Sequence, residues 1–459
     1  MNAPVRHDDL VPTDLKPLKF EDFLHVPGPQ PAKVRMWRTI QFLRDPRGTI
    51  NQLADAYGPV FRRQDGFGWG VTLLGPEANE LVLFNKDRIF SSKLGWDPVL
   101  DQVFPNGLML MDFDHHRMHR KTLSVAFKPA PMKAYLTGLN EGIARTVARW
   151  PAGEEMKFYP AIKELTLDLA AGSFLGVPWG PEAQDINRAF MDMVLAAVSV
   201  IRKPLPFTQM RKGVKGRAYM SAYFAREIPK RRGTTGDDIF TQICNAEDEH
   251  GRLLTDQEII DHMNFLMMAA HDTLTSSLTS LVYYLGRNPE WQEQLREEVD
   301  QVRARHGEWL PTEALSELEL CEMAFKEALR LVPPVPMIPR RAIREFDYKG
   351  FRIPKGAGVG VNPMYTHMMP EHWPDPEKFD PLRFTTQVSA NRHKYAWVPF
   401  GGGAHMCLGL HFAYMQAKAF LFRLLSERRI VLAEGYAADF QMVPIPRPKD
   451  GLPVTLPTR

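Results

Sequence analysis

The stretch FGGGAHMCLG, Phe400 to Gly409, sets one cysteine among four glycines, with a histidine two places before it. Two features of such a loop favour the thiolate form of Cys407. Backbone N–H groups can turn toward the sulfur, and a helix expected from about Leu408 brings its positive end beside it. Glycines also let a flat, bulky group approach the backbone closely. A cysteine held this way can serve as a nucleophile or as a thiolate ligand to a metal. A purely structural loop cysteine is the plain alternative.

Other positions carry chemistry at helical spacing. AAHDT, Ala269 to Thr273, puts an acid, Asp272, and a hydroxyl, Thr273, in the apolar middle of a long helix. A buried Asp is costly unless something pairs or uses it. The hydroxyl could simply bond back to its own helix. In DFDHHRMHRK, His116 and Arg120 stand i, i+4 on one helical face, while His115 and His119 could face solvent. In KEALR, Glu327 and Arg330 stand i, i+3 shortly before Pro333-Pro334, a spacing common in surface ion pairs.

The positions Phe400, Gly403, His405, Cys407 and Gly409 decide how the cysteine is read. They resemble the haem-binding loop of the cytochrome P-450 family, F-x-x-G-x-[HR]-x-C-x-G, at every fixed position. The resemblance implies haem b as cofactor, Cys407 as its axial iron ligand, and Phe400, Gly401, His405 and Gly409 around it. A thiolate there pushes electron density onto iron and favours O–O cleavage. AAHDT is similar to the family's A-G-x-[DE]-T stretch, with Ala270 where glycine is usual. This implies that Ala269 lies against the haem, Thr273 offers a hydroxyl on the oxygen side, and Asp272 relays protons. KEALR and DPLRF resemble the family's E-x-x-R and later arginine segments, implying a buried Glu327–Arg330–Arg383 cluster that braces the cysteine loop. Haem propionates need cations. The resemblance assigns His116, Arg120 and His405 to them, and then Arg340. Arg341 is an adjacent rival, and strand alternation turns only one of the two inward.

These residues need elements to position them. TDQEIIDHMNFLMMAAHDTLTSSLTSLVYYLGRNPE opens with a capping box, Thr255 to Glu258, and closes near Gly286, so it predicts one buried helix of about 30 residues, roughly 45 Å long. A helix to about Arg428 follows Cys407. PVFRRQDGFGWGVTLLG reads as a hairpin, and DYKGFRIPKGAGVGVN is β-rich again. From about 76 to 335 the pattern is helical, with breaks expected at Pro98, Pro105, Pro129, Pro178 and Pro206. The expectation is a mainly α protein with small β-sheets. It comprises an extended arm over 1–30 and one domain over 31–459, a large helical body with a smaller β-rich lobe.

The 459 residues carry a net charge of +3, too little to suggest nucleic acid. Three scattered cysteines fit a reducing compartment and no disulfide framework, and no zinc pattern is read. The first 29 residues lack an apolar run long enough for a signal peptide or a membrane span, which predicts a cytoplasmic protein without a stable anchor. His115–Asn140 and Pro381–Ser426 lack Asp and Glu. By the resemblance they flank the cysteine side of the haem, so a basic face for an acidic ferredoxin- or flavodoxin-type electron donor, served by its reductase, is expected; an ordinary solvated surface is the alternative. LGWDPVLDQVFPNGLML, FMDMVLAAVSVI, Met267, Ala269 and VPMI match the family's substrate-contacting regions. They imply an apolar, medium-to-large substrate of steroid, terpenoid or fatty acyl type, and insertion of one oxygen atom from dioxygen. The rivals are a haem-thiolate enzyme using peroxide or catalysing isomerisation or dehydration, a haem sensor, and a haem-free cysteine hydrolase.

Overall fold

Val60–Asp65 (β1) and Gly68–Leu73 (β2) pair antiparallel, Val60 opposite Leu73 and Asp65 opposite Gly68, as the β-prone runs around Gly66 predict. The computed structural model describes residues 11–12, 14–32, 35–65, 68–177, 180–199 and 201–459. The hairpin tip at 66–67, the expected break at Pro178 and the first ten residues of the expected arm lie outside them. Phe90–Ser91 (β3), Ile338–Ala342 (β4) and Gly358–Val361 (β5) complete a five-stranded sheet of order β1-β2-β5-β4-β3, with β2 and β5 parallel. This pairing joins segments almost 300 residues apart.

The sheet has its own apolar core, built from Val71, Leu73, Phe90, Val359 and Val361 among others. Over 20–28 the expected arm is anchored to it. Phe23 and Val26 are fully buried there, and the Arg62 guanidinium donates to the carbonyls of Phe23, Val26 and Gly28.

The larger core is helical. Around it stand Lys93–Leu100 (α1), Phe113–Leu123 (α2), Phe158–Leu175 (α3), Pro181–Ala197 (α4), Gln209–Arg231 (α5), Asp256–Arg287 (α6), Glu319–Leu331 (α7) and Leu410–Glu427 (α8). The expected mainly α fold with small sheets is therefore the observed one. The capping box of α6 forms as predicted: the Glu258 N–H donates to the Thr255 hydroxyl at 3.3 Å, and the Thr255 N–H to the Glu258 carboxylate at 2.7 Å. Its 32 residues run against α3, α5 and α7. Pro98 corrects the sequence reading: it sits inside α1 rather than ending it. Pro129 opens the helix Pro129–Arg149, where a missing N–H costs nothing.

Candidate active site

The cysteine loop is a closed turn. The Cys407 N–H donates to the Phe400 carbonyl at 2.9 Å, and the Met406 N–H to the Gly403 carbonyl at 3.2 Å. Gly403 has φ +62°, and a Cβ there would run into the Leu83 carbonyl, so the loop sits directly on the end of the helix Pro76–Phe84. α8 starts at Leu410 with Gly409 before it, two residues later than expected. The Cys407 side chain is accessible, yet burial raises its thiol pKa, opposed by the Gly409 N–H and the Arg120 charge. Both observations hold if the sulfur opens onto an internal recess. Cys244 and Cys321 are buried, and burial pushes the former up to about 12 and the latter well above its usual range. Among the three, only Cys407 offers its sulfur.

Cationic and imidazole groups converge beside that loop. The ring of His116, on α2, lies 3.9 Å from the ring of His405 between centroids. Burial, then Arg120 and Arg340, push His116 down to about 3. Burial, His116, Arg340 and Arg120 also hold His405 well below the usual histidine range. β4 alternates as expected: Arg340 is buried toward this group, while Arg341 donates to the Gly356 carbonyl at 3.0 Å. One carboxylate stands nearby. Asp112 lies 3.9 Å from His405, but it also accepts from the Ser91 hydroxyl at 2.5 Å and the Ser92 N–H at 2.7 Å. His116 Nδ1 is buried without a hydrogen-bond partner. Two arginines and two imidazoles thus face one occupied carboxylate, a donor set suited to a group with two acidic arms. An accessible thiol next to that set fits a haem with its two propionates.

The structure brings four of the sequence-derived residues together with Cys407: His116, Arg120, Arg340 and His405. Phe400 and Gly409 hold the loop as described, and Gly401 takes its turn at φ +71°.

On α6, every residue from Ile259 to Val282 is buried except Met268, Ala269, Ala270 and Thr273. Ala269 and Thr273 are one turn apart, so one short face in the middle of a core helix is open. The Thr273 hydroxyl donates to the Ala269 carbonyl at 2.7 Å, the back-bonding alternative. Asp272 turns toward α3. Its Oδ1 lies 3.0 Å from His271 Nδ1 and 3.6 Å from Lys163 Nζ, and the histidine contact is too far off line for a good hydrogen bond. Burial pushes the Asp272 carboxyl up, but His271 and Lys163 together outweigh it and hold it below the usual range.

The expected brace is present. Arg330 and Glu327, both fully buried, make two bonds of 2.7 and 2.8 Å, and Arg383 Nε stands 3.3 Å from Glu327. Arg330 also donates to the carbonyls of His367, Pro376 and Lys378.

Sequence reasoning missed Asp112 and Lys163, whose partners lie on other elements, and gave His271 no role beside Asp272. For His115 and His119, which the sequence allows to face solvent, the structure corrects the second. His119 is buried, 2.9 Å from His262 on α6, and not solvent-facing. Among the described residues no group of His, Cys, Asp and Glu is arranged to hold a metal ion. The expected basic face is smaller than the sequence suggests. Lys418 is buried on Glu322, Arg423 pairs with Glu427 at 2.8 Å, and Arg392 packs over the Trp373 ring; Lys128, Lys133 and Lys394 remain exposed.

Comparison with known proteins places this geometry. The family model described as cytochrome P-450 matches residues 27–439. Cytochrome P-450 136 of Mycobacterium tuberculosis is 37% identical over 428 residues, 92% of this chain and 86% of that protein. Taxane 10-beta-hydroxylase of Taxus cuspidata is 29% identical over 402 residues, 83% of this chain and 80% of that one. Among solved structures, a retinoic-acid-bound cyanobacterial cytochrome P-450 superposes with a TM-score of 0.84 at 30% identity, covering 92% of this chain and 96% of its own.

Proposed function

The chain belongs to the cytochrome P-450 family of haem-thiolate monooxygenases, and from that premise we propose a substrate class and a role for each site residue. The substrate is an apolar, medium-to-large molecule built on an isoprenoid skeleton, oxidised at a carbon held over the open face of α6. The observation that carries this reading is that face: in an otherwise buried helix, Met268, Ala269, Ala270 and Thr273 alone are accessible between Ile259 and Val282. Three of the four are apolar, so a molecule resting there gains by burial and not by polar contacts. The names of two relatives support the class. One is a hydroxylase of taxanes and another was solved with retinoic acid, both isoprenoid in skeleton.

Cys407 would hold the haem iron through its thiolate, His116, Arg120, Arg340 and His405 would meet the propionates, and Phe400, Gly401, Gly409 and Ala269 would line the cofactor. When bound, the haem supplies dioxygen activation and oxygen-atom transfer, with the thiolate pushing electron density toward the iron. The chain's own residues do the rest. Asp272, kept anionic by His271 and Lys163, takes a proton on its Oδ1 from the partly exposed Lys163 side and passes it toward Thr273. Thr273 Oγ1, donating to the Ala269 carbonyl, keeps its lone pairs for accepting that proton's hydrogen bond. Electrons come from an acidic ferredoxin- or flavodoxin-type donor docking near Lys128, Lys133 and Lys394, which are exposed and lie in the two acid-free stretches. The site of action is the cytoplasm; among the described residues no helix is long and apolar enough to cross a membrane.

Optical titration of the ferric holoenzyme with terpenoids, retinoids, steroids and fatty acids tests the substrate class. A low-to-high-spin shift confined to isoprenoid compounds is expected. A shift produced by small polar molecules, and by no isoprenoid, would sink the class.

A further inference from the structure

One row of the five-stranded sheet runs Arg63, Gly70, Gly358, Arg341, because Arg63 stands opposite Gly70, Gly70 opposite Gly358 and Gly358 opposite Arg341. Residues opposite one another share a face of the sheet. The next row on that face is Phe61, Thr72, Gly360, Pro339. Phe61 is fully buried in the helical core, so this face looks toward the helices. The other face, with Val71, Leu73, Val359 and Val361, fills the sheet's own core. Two arginines therefore stand at the two sides of a floor made of glycine.

Helices border this floor: Arg35–Arg44 lies against β1, and α1 lies against β4. Between them little covers the glycines. A Cβ on Gly360 would find only two atoms within 4 Å, Nη2 and Nε of Arg63 at 3.7 and 3.9 Å, and one on Gly358 would stand 3.6 Å from Arg63 Nη2. The Arg63 guanidinium thus reaches across β2 to lie on β5, where a side chain larger than alanine would crowd it. Arg341 meets the same patch from β4. Its Nη1 donates to the Gly356 carbonyl at 3.0 Å, and it makes no ion pair among the described residues. The one carboxylate paired at this patch is Asp65, with Arg63. Burial, then the neighbouring Arg341 charge, push Arg63 down to about 10, and burial lowers Arg341 as well. Two partly desolvated guanidiniums beside one carboxylate leave one positive charge without a counter-charge.

We propose that Arg63 and Arg341 bind a carboxylate of the substrate, which makes the molecule oxidised an apolar acid. A carboxylate carries the one charge this patch lacks, and the guanidinium fork matches its two oxygens. The position of the apolar end follows from β4. From Arg341 the same face runs to Pro339, about 7 Å along the strand, and on to Met337 in the VPMI segment expected against the substrate. Arg341 and Met337 are four residues apart, about 13 Å in extended backbone, and the apolar skeleton spans that interval. The assignment rests on the reading that an apolar substrate lies on the open face of α6, but not on its skeleton being isoprenoid.

The test is titration of the ferric holoenzyme with two matched pairs, a diterpenoid acid with its methyl ester and palmitic acid with methyl palmitate. Binding is read by the spin shift and, independently of the iron, by the rise in Tm. For at least one skeleton the acid should bind about tenfold or more tightly than its ester. Arg63→Gln and Arg341→Gln should each remove about tenfold of the acid's affinity and leave the ester's unchanged, and Arg341→Lys should keep most of the preference. Asp65→Asn, which removes the competing carboxylate and neither arginine, should tighten the acid alone. Acid and ester bound alike in both pairs, or variants that weaken acid and ester equally, would overturn the proposal. Preference for palmitic acid with neither diterpenoid bound would uphold the arginine pair and refute the isoprenoid class. Diterpenoid acid and ester bound alike, with neither palmitate bound, would do the reverse, and failure of all four to bind would count against both.

Discussion

Replacing Glu327 by glutamine keeps the volume of a buried side chain and removes its charge. The Arg330 guanidinium then stays at zero exposure with two of its strongest bonds, at 2.7 and 2.8 Å, weakened, and Arg383 loses its counter-charge at 3.3 Å. Breaking a buried pair by removing one partner costs about 3–5 kcal/mol. With about 2.1 cal/mol/K of unfolding entropy per residue over 459 residues, the entropy of unfolding is about 1 kcal/mol/K, so Tm should fall by about 3–5 °C. The damage should also be local. Arg330 holds the carbonyls of His367, Pro376 and Lys378, and Glu327 accepts the Asp380 N–H at 3.0 Å, so the irregular 367–383 segment loses its frame. His367 Nε2 in turn accepts the Val398 N–H at 2.9 Å, which leads straight into the cysteine loop. Differential scanning fluorimetry combined with haem content should therefore report both a lower Tm and faster haem loss. A variant melting within about 1 °C of the wild type, with haem retained, would refute the reasoning that this cluster braces the loop.

Thr273→Ala should leave substrate binding intact while hydrogen peroxide release rises against product; unchanged coupling would favour a peroxide-using or isomerising enzyme. His271→Asn removes one of the two groups that outweigh burial at Asp272, so that carboxyl should titrate higher and the acid limb of the pH–rate profile should move up. His119 is held down to about 4 and His367 to about 3, both chiefly by burial. The unfolded chain binds protons on them below about pH 6.5, so their contribution is complete above that value and is lost progressively as pH falls toward 4, visible in denaturant midpoints at stepped pH.

What could be read in the sequence was what is local in the chain. The Cys407 loop, the Thr255–Glu258 cap and the Glu327–Arg330 pair are each set within ten residues, and the structure forms each of them. Pro98 was misread because a breaker signal is only local, and the surrounding α1 packs onto β4 closely enough that a Cβ on Gly95 would stand 2.7 Å from Arg340 Cα. Counting charges along the chain overstated the basic face, since Lys418 and Arg423 point from α8 into carboxylates rather than outward. Asp112, Lys163 and the His119–His262 contact depend on pairing between distant elements, which no spacing encodes. The parallel β2–β5 pairing escaped for the same reason.

The central claim is that Cys407 carries a haem as its thiolate ligand. The carbon monoxide difference spectrum of the reduced protein, recorded for the wild type and for Cys407→Ser, tests it most directly. The account predicts the thiolate-type band in the wild type and its loss in the serine variant, with Cys244→Ser and Cys321→Ser unaffected. A colourless wild type, or a thiolate band that survives Cys407→Ser, would contradict it.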